Sequence, residues 1–358
     1  MKSVFINRKS EIQKLSDGLR KGRDYVLVAP RRYGKTMLSL QVLDILRQDN
    51  KYIIIDIDLM TYSGGSIRSI AECILEKTLN ALGILGKLRR MWHQTNITFN
   101  LKVKYQDLEI EPLFHVYKNA DEWTLLEESL QLFEKIALKT EKQVIVFFDE
   151  FGELYSLGER IIKVFRSVIQ RHTNVSYLFS GSQETVMNKI FLDKTGAFYR
   201  FGELVYLKEL SIEDVYSYIR NNLSSNDKNK QVYIRILDEV IATLQGHPYY
   251  TAQVVKYLED NPHCTLEQLY NFIHVELLDR EKGYLELQLQ KLNDERQYAV
   301  EILRILALEL SPFTELSFIQ KSNISRILKY LENSGFVRKK SRGLYIITDP
   351  LLIILLLE

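Results

Sequence analysis

The sequence predicts an α/β fold, a parallel sheet flanked by helices, followed by an all-helical segment and a small module of helices and two strands. Three observations carry that prediction. Short apolar runs (Tyr25–Val28, Tyr52–Asp58, Val144–Asp149, Val175–Ser182) alternate with amphipathic stretches, as strands buried on both faces of a parallel sheet do. From about residue 211 to 292 the periodicity is helical throughout. From 297 onward, helices give way to two β-rich runs around a glycine turn. A chain of 358 residues, 46% hydrophobic and 26% charged, is globular in composition and long enough for two or three domains. A net charge of +2 leaves any nucleic-acid signal to be local.

Residues 7–22 read as the first helix, with Asn7 as its cap, Ile12, Leu15 and Leu19 on its apolar face, and Gly22 beyond its end. The strand Tyr25–Val28 then runs into Ala29-Pro-Arg-Arg-Tyr-Gly-Lys-Thr36 and the apolar stretch Met37–Leu43. A strand, a tight loop and a helix turn backbone N–H groups inward around a phosphate. Pro30, Arg31, Arg32, Tyr33, Gly34, Lys35 and Thr36 are therefore the candidate phosphate-binding residues. Gly34 lets the backbone approach closely, Lys35 reaches the β and γ phosphates, and the Thr36 hydroxyl is a candidate Mg²⁺ ligand. Ala29 stands where the strict pattern has glycine, a small change unless that residue needs positive φ.

After the strand Tyr52–Asp58, a turn at Ser63–Ser66 leads to a helix over about 67–82. Lys87–Arg90 is basic, and Ile97, Phe99, Leu101, Val103, Leu108 and Ile110 then alternate with polar residues, which predicts an inserted β-hairpin at about 95–115. The basic start suits either a nucleic-acid or protein contact or a solvated edge. A helix with Trp123, Leu126, Leu130, Phe133 and Ala137 on one face precedes the strand that ends in Asp149-Glu150. Two acids at the carboxyl end of a buried strand are what a magnesium-nucleotide site needs: Asp149 to hold Mg²⁺, Glu150 to orient the attacking water. The plainer alternative is an acidic turn. A helix over about 158–171 leads to the strand Val175–Ser182, whose Ser180 or Ser182 would sit beside the phosphate loop, or would simply turn the chain.

Leu204–Leu207 is the expected last strand, and Ser211-Ile-Glu-Asp214 opens the helical segment as a capping box. A polar break falls at Asn222–Lys230, and Pro248 in Gly246-His-Pro248 suits a helix's first turn. In the tail, a helix over about 322–334, closed by Gly335, and the strands Phe336–Lys340 and Leu344–Thr348 describe a winged helix-turn-helix. Lys321, Arg326, Lys329, Arg338, Lys339, Lys340 and Arg342 face one acid, Glu332, between 321 and 342. That excess fits phosphate contacts along double-stranded DNA, or a solvated surface on a protein-interaction module. Leu351–Leu357 is far short of the ~20 residues a bilayer requires and reads as a packed terminal helix or strand. The two cysteines form no metal or disulfide spacing, and no signal-length apolar core opens the chain. A cytoplasmic protein without membrane contact is expected.

In their order, these parts resemble the archaeal-type AAA ATPases, P-loop ATPases near the STAND and AAA+ lineages that also occur in bacteria. The resemblance rests on Phe5–Glu11, Pro30–Thr36, Phe148–Glu153, Phe179–Ser182, Gly246–Tyr249 and Tyr345–Pro350. It implies a five-stranded P-loop domain (1–210), a helical lid (211–292) and a winged helix-turn-helix domain (293–358), with ATP or ADP and Mg²⁺ held between the first two. It places the Gly246–Pro248 turn near the adenine, adding Pro248 to the cofactor-binding residues. It offers Glu150 and Ser182 as catalytic groups beside Arg200, a candidate γ-phosphate contact that follows Tyr199 where the family has glycine. Pairing of Arg200 with Glu203 is the alternative. Three functions are then in view: an ATP-hydrolysing switch that binds DNA, a nucleotide-gated protein-interaction module with slow turnover, and an oligomeric AAA+ motor. The motor needs an arginine from a neighbouring subunit, for which Arg166, Arg171 and Arg200 are candidates.

Overall fold

The computed structural model describes residues 6, 8–62, 65–83, 104–105, 108–109, 121–222, 238, 240, 243–261, 263–341 and 343–358. The chain divides into two compact units: an α/β unit of Arg8–Ala29 and Lys35–Leu207, and a C-terminal unit of Lys208–Glu358 that includes Pro30–Gly34 and the residues before Arg8.

In the α/β unit, α1 (Lys9–Arg20) precedes β1 (Tyr25–Val28), and α2 (Lys35–Arg47) precedes β2 (Tyr52–Asp58) and α3 (Ile67–Ala81). Arg8 holds the cap position of α1; Asn7, the expected cap, lies outside the described residues. β3 (Lys104–Tyr105) and β4 (Leu108–Glu109) pair antiparallel, with Lys104 opposite Glu109. The rest of the expected hairpin, from Lys87 through Val103 and at Ile110, lies outside the described residues. Then come α4 (Glu122–Thr140), β5 (Gln143–Asp149), a 3₁₀ segment (Phe151–Leu157), α5 (Glu159–Ile169), β6 (Val175–Gly181), α6 (Glu184–Phe191) and β7 (Glu203–Tyr206).

Five parallel strands make one sheet in the order β2-β5-β6-β1-β7. This order sets β6 between β1 and β5. The phosphate loop after β1, the acids ending β5 and the serines ending β6 therefore emerge side by side at the carboxyl edge, with Val28 in register with Gly181. All seven residues of β6 are buried, its two serines included, which is why no solvent-facing polar alternation marks its sequence. Behind that edge Phe148, Phe151, Phe165, Phe179, Phe191 and Phe198 pack in one cluster, Phe151 and Phe179 with ring centroids 4.8 Å apart. Such edge-to-face packing fixes the strand ends that carry the polar groups.

The C-terminal unit contains α7 (Ile212–Asn222), α8 (Pro248–Asp260), α9 (Leu266–Asn271), a π-helical turn (Phe272–Leu277) and α10 (Leu278–Glu295). Ser211 and Asp214 form the expected cap of α7. The polar break at 223–230 lies outside the described residues. α11 (Ala299–Ala307), α12 (Pro312–Glu315) and α13 (Lys321–Asn333) are followed by the antiparallel pair β8 (Val337–Ser341) and β9 (Leu344–Ile347), the order of a winged helix-turn-helix. The terminal apolar run is a helix, α14 (Pro350–Leu357). Asp349 caps it by accepting from the Leu351 and Leu352 amides, and both leucines are buried. No helix among the described residues is long and apolar enough to cross a membrane.

Candidate functional site

At the carboxyl edge of the α/β sheet the two acids diverge. Glu150 adopts a left-handed backbone at φ 50°, a conformation uncommon for a residue with a side chain. The resulting turn sends the two carboxylates to different partners. Asp149 accepts from the Thr36 hydroxyl at 2.6 Å, from the Ser180 hydroxyl, and from the Glu150 amide at 3.0 Å. Glu150 accepts from the Ser182 amide and hydroxyl at 2.9 and 2.8 Å and lies 4.0 Å from the Lys35 ammonium. Lys35, only 5% exposed, donates to the Ala29 carbonyl at 2.8 Å, folding back over its own loop.

Asp149 is 6% exposed, and a buried carboxylate persists only when hydrogen-bonded. Ser180 supplies one of those bonds. The sequence left Ser180 and Ser182 as alternatives; the structure gives each its own carboxylate.

Hard oxygen donors that meet at 2.6 Å, the Thr36 hydroxyl and the Asp149 carboxylate, fit Mg²⁺. That ion takes one or two protein oxygens and completes its shell with water and phosphate. In the loop the left-handed positions fall at Arg32 (φ 66°) and Gly34 (φ 83°), not at Ala29. The alanine methyl is therefore accommodated where the strict pattern has glycine.

Two neighbouring side chains of the loop, Arg32 and Tyr33, belong to the C-terminal unit's contacts. The Arg32 guanidinium donates to Glu281 at 2.5 Å and to the Tyr250 hydroxyl at 3.4 Å. It also lies over the rings of Tyr249 and Tyr284, 4.9 and 4.7 Å from their centroids. Burial opposes the charge on Arg32, but Glu281 outweighs it and the pKa is raised. Tyr250 in turn donates to Asp349 at 2.9 Å, the cap of α14. Tyr33 donates to Glu209 at 3.4 Å, and Glu209 also pairs with Arg338 of β8 at 2.8 Å. The Tyr33 ring meets His247 edge-on at 5.0 Å.

Gly246 needs to be glycine: φ is 67°, and a Cβ there would lie 2.4 Å from the Leu210 carbonyl. Pro248 takes the first turn of α8, as its sequence suggests. Burial, with the charge of Arg32 acting the same way, lowers the His247 pKa to about 3 and keeps the ring neutral. Its Nδ1 has no hydrogen-bond partner among the described residues, nor does the buried Thr251 hydroxyl one turn on.

A domain description, "ATPase domain predominantly from Archaea", matches residues 5–254. The chain belongs to that ATPase family. It is thus a nucleotide-binding P-loop ATPase, and its fold agrees. The Walker-type ATPase of Pyrococcus abyssi superposes with a TM-score of 0.70 at 18% identity, over 99% of this chain and 96% of that one. The ORC2 protein of Aeropyrum pernix, solved as ADPNP-ADP complexes, gives 0.59 at 13% identity over 99% and 95%. Its ADP form gives 0.52 at 12% identity over 99% and 94%. Comparison with curated proteins gives no match.

Among the residues singled out in this archaeal-type ATPase, the sheet edge brings together Lys35, Thr36, Asp149, Glu150 and Ser182. Arg31 and Arg200 are exposed. Arg200 has φ 56° and lies over the ring of its neighbour Tyr199, 5.2 Å from the centroid. Glu203, its alternative partner, pairs instead with Lys14 at 2.6 Å. Arg166 lies over Phe201, 4.6 Å from its centroid. Sequence reasoning missed Glu281, Tyr250 and Tyr284. Only the tyrosines that follow Gly246-His-Pro248 offered a signal, since nothing around Glu281 marks it.

Proposed function

We propose that this ATPase is a Mg²⁺-dependent molecular switch of the STAND kind, whose C-terminal module binds double-stranded DNA. In this reading Thr36 and Asp149 hold the ion, Lys35 and the loop amides hold the phosphates, and Glu150 positions the attacking water with Ser182 orienting its carboxylate. Pro248 would pack against the base, and Arg200 would contact the γ-phosphate. The C-terminal unit divides at about residue 292 into lid and winged helix. The observation that carries the nucleotide reading is the separation of the two acids, one on the loop's hydroxyl and one near its lysine. Lys35→Ala is expected to weaken binding of a fluorescent ADP analogue at least about a hundredfold, the scale of losing a charged phosphate contact. Unchanged affinity would contradict the phosphate site.

The DNA reading rests on charge. Lys321, Arg326, Lys329, Arg338, Lys339 and Lys340 are exposed, while Ile324, Ile327, Leu328 and Leu331 bury the other face of α13. Among the described residues Lys329 pairs with Glu332 and Arg338 with Glu209; Arg342 lies outside them. Affinity for duplex DNA should fall steeply with salt, by about 0.9 log units per tenfold salt for each phosphate contact. A flat response supports the second reading, a nucleotide-gated protein-interaction module. That reading is favoured by a cavity of about 840 Å³ bordered by Leu308, Leu310 and the 73% exposed Phe318.

A further inference from the structure

We propose that Arg32 is a latch on the phosphate loop: Glu281 holds its guanidinium, and an anionic nucleotide phosphate competes for it. The inference rests on the nucleotide reading above and adds a regulatory group to that same site. Its ground is the number and kind of contacts made by one residue of the loop. Arg32 carries a left-handed backbone, which any residue with a Cβ adopts at a cost. That conformation is held by an ion pair at 2.5 Å, by a tyrosine hydroxyl, and by the faces of two further tyrosines.

Glu281 is 7% exposed, so its charge is stabilised chiefly by what it accepts: Arg32, and the Tyr249 hydroxyl at 3.2 Å. A carboxylate and a phosphate are competing acceptors for the same guanidinium, which meets Glu281 through one nitrogen, Nη1. With Glu281 in place, the positive charge that the loop could offer a phosphate is already neutralised. Nucleotide binding must therefore break or weaken this pair, and by linkage the pair weakens nucleotide binding by the same factor. Removing the carboxylate frees Arg32 and also removes a negative charge next to it, so both effects tighten binding.

The test titrates the whole chain and its variants with an N-methylanthraniloyl derivative of ADP in the presence of Mg²⁺. Glu281→Gln keeps the shape and the Tyr249 contact while removing the charge, and is expected to tighten binding about tenfold, an ordinary size for such coupling. Tyr284→Ala removes one exposed face from the guanidinium and should tighten binding two- to threefold. That variant keeps the test decisive if Glu281→Gln does not fold. In an Arg32→Ala background, Glu281→Gln should tighten binding markedly less than in the wild-type background, because only the removal of negative charge is left to act. Wild-type binding accompanied by equal or weaker affinity in Glu281→Gln and Tyr284→Ala overturns the latch and spares the nucleotide site. Absence of binding by folded wild-type protein overturns both.

Discussion

The polar groups of the sheet edge and those around Arg32 are held in opposite ways. At the sheet edge the hydrogen bonds to Asp149 and Glu150 come from small neutral donors, the hydroxyls of Thr36, Ser180 and Ser182 and two amides, with the Lys35 ammonium more distant at 4.0 Å from Glu150. Hydrogen bonds from neutral donors to a carboxylate contribute about 1.5–3 kcal/mol each, and a metal ion or a water can take the place of any one of them. Around Arg32 a full charge is locked by an opposite charge and three aromatic side chains. Breaking such a pair leaves a buried carboxylate without its counter-charge, a loss of about 3–5 kcal/mol. The difference teaches where chemistry and where control belong: exchangeable neutral partners suit a reacting centre, and a charge lock suits a state that only a strong anion reverses.

The comparison breaks most severely at Gly246. Gly246→Ala would place a methyl 2.4 Å from the Leu210 carbonyl at a positive φ, and should cost about 3 kcal/mol or more, read as a lowered denaturant midpoint of the C-terminal unit. Stability unchanged in that variant would mean that the Gly246–Pro248 turn, with His247 and Arg32 beside it, is far looser than the contacts describe.

Acid-base behaviour divides the two units next. Burial raises the Asp24 pKa to about 6, although the Tyr177 amide donates to it at 2.8 Å and Arg166 favours its charge. The native state therefore keeps this proton when the unfolded chain has lost it. Stability from Asp24 is full below about pH 4 and falls as pH rises to about 6. For His247, with its pKa lowered to about 3, the sign reverses: stability falls as pH drops below about 6.5, where the unfolded ring takes a proton that the native ring refuses. Asp24→Asn should remove a loss of about 2 kcal/mol on raising the pH from 4 to 7, measured by denaturant unfolding. A slope unaltered by that variant would place the titration elsewhere.

A finer cut separates the two serines. Ser180→Ala deprives buried Asp149 of one donor and should reduce Mg²⁺-dependent turnover about tenfold, with the effect read mainly in the Mg²⁺ concentration required. Ser182→Ala should act on the rate at saturating Mg²⁺ instead, because its partner is Glu150. Equal behaviour of the two variants in a Mg²⁺ titration would erase the division between the acids. Smallest is Lys339→Ala on the wing, expected to lower the salt slope of DNA binding by about 1 and to leave turnover unaltered.

How much of this was legible depended on whether the physics is local. The central strands β1, β5 and β6 were readable because burial on both faces writes an apolar run, and the acids because they end such a run. β2 and β7, at the sheet's edges, are buried on one face only, contrary to the expectation for Tyr52–Asp58. The loop was readable because its geometry requires Gly34, Lys35 and Thr36 in sequence. Ser180 and Ser182 could not be told apart, since alternation along a strand end does not say which carboxylate each hydroxyl meets. Arg32 was visible as a loop residue but its lock was not: its partner Glu281 is 249 positions away, and such a contact leaves no periodic trace. Arg200 is the reverse case, a position suggested by family likeness that lies exposed over the ring of Tyr199.

The most direct test of the divided acid pair is Glu150→Gln, with nucleotide affinity and ATP turnover measured on the same preparation. Affinity for the ADP analogue should stay within about twofold of wild type while turnover falls at least about a hundredfold, the loss expected when the group that positions the attacking water is neutralised. Turnover at the wild-type rate would contradict the assignment of Glu150 and, with it, the separation of roles between the two acids.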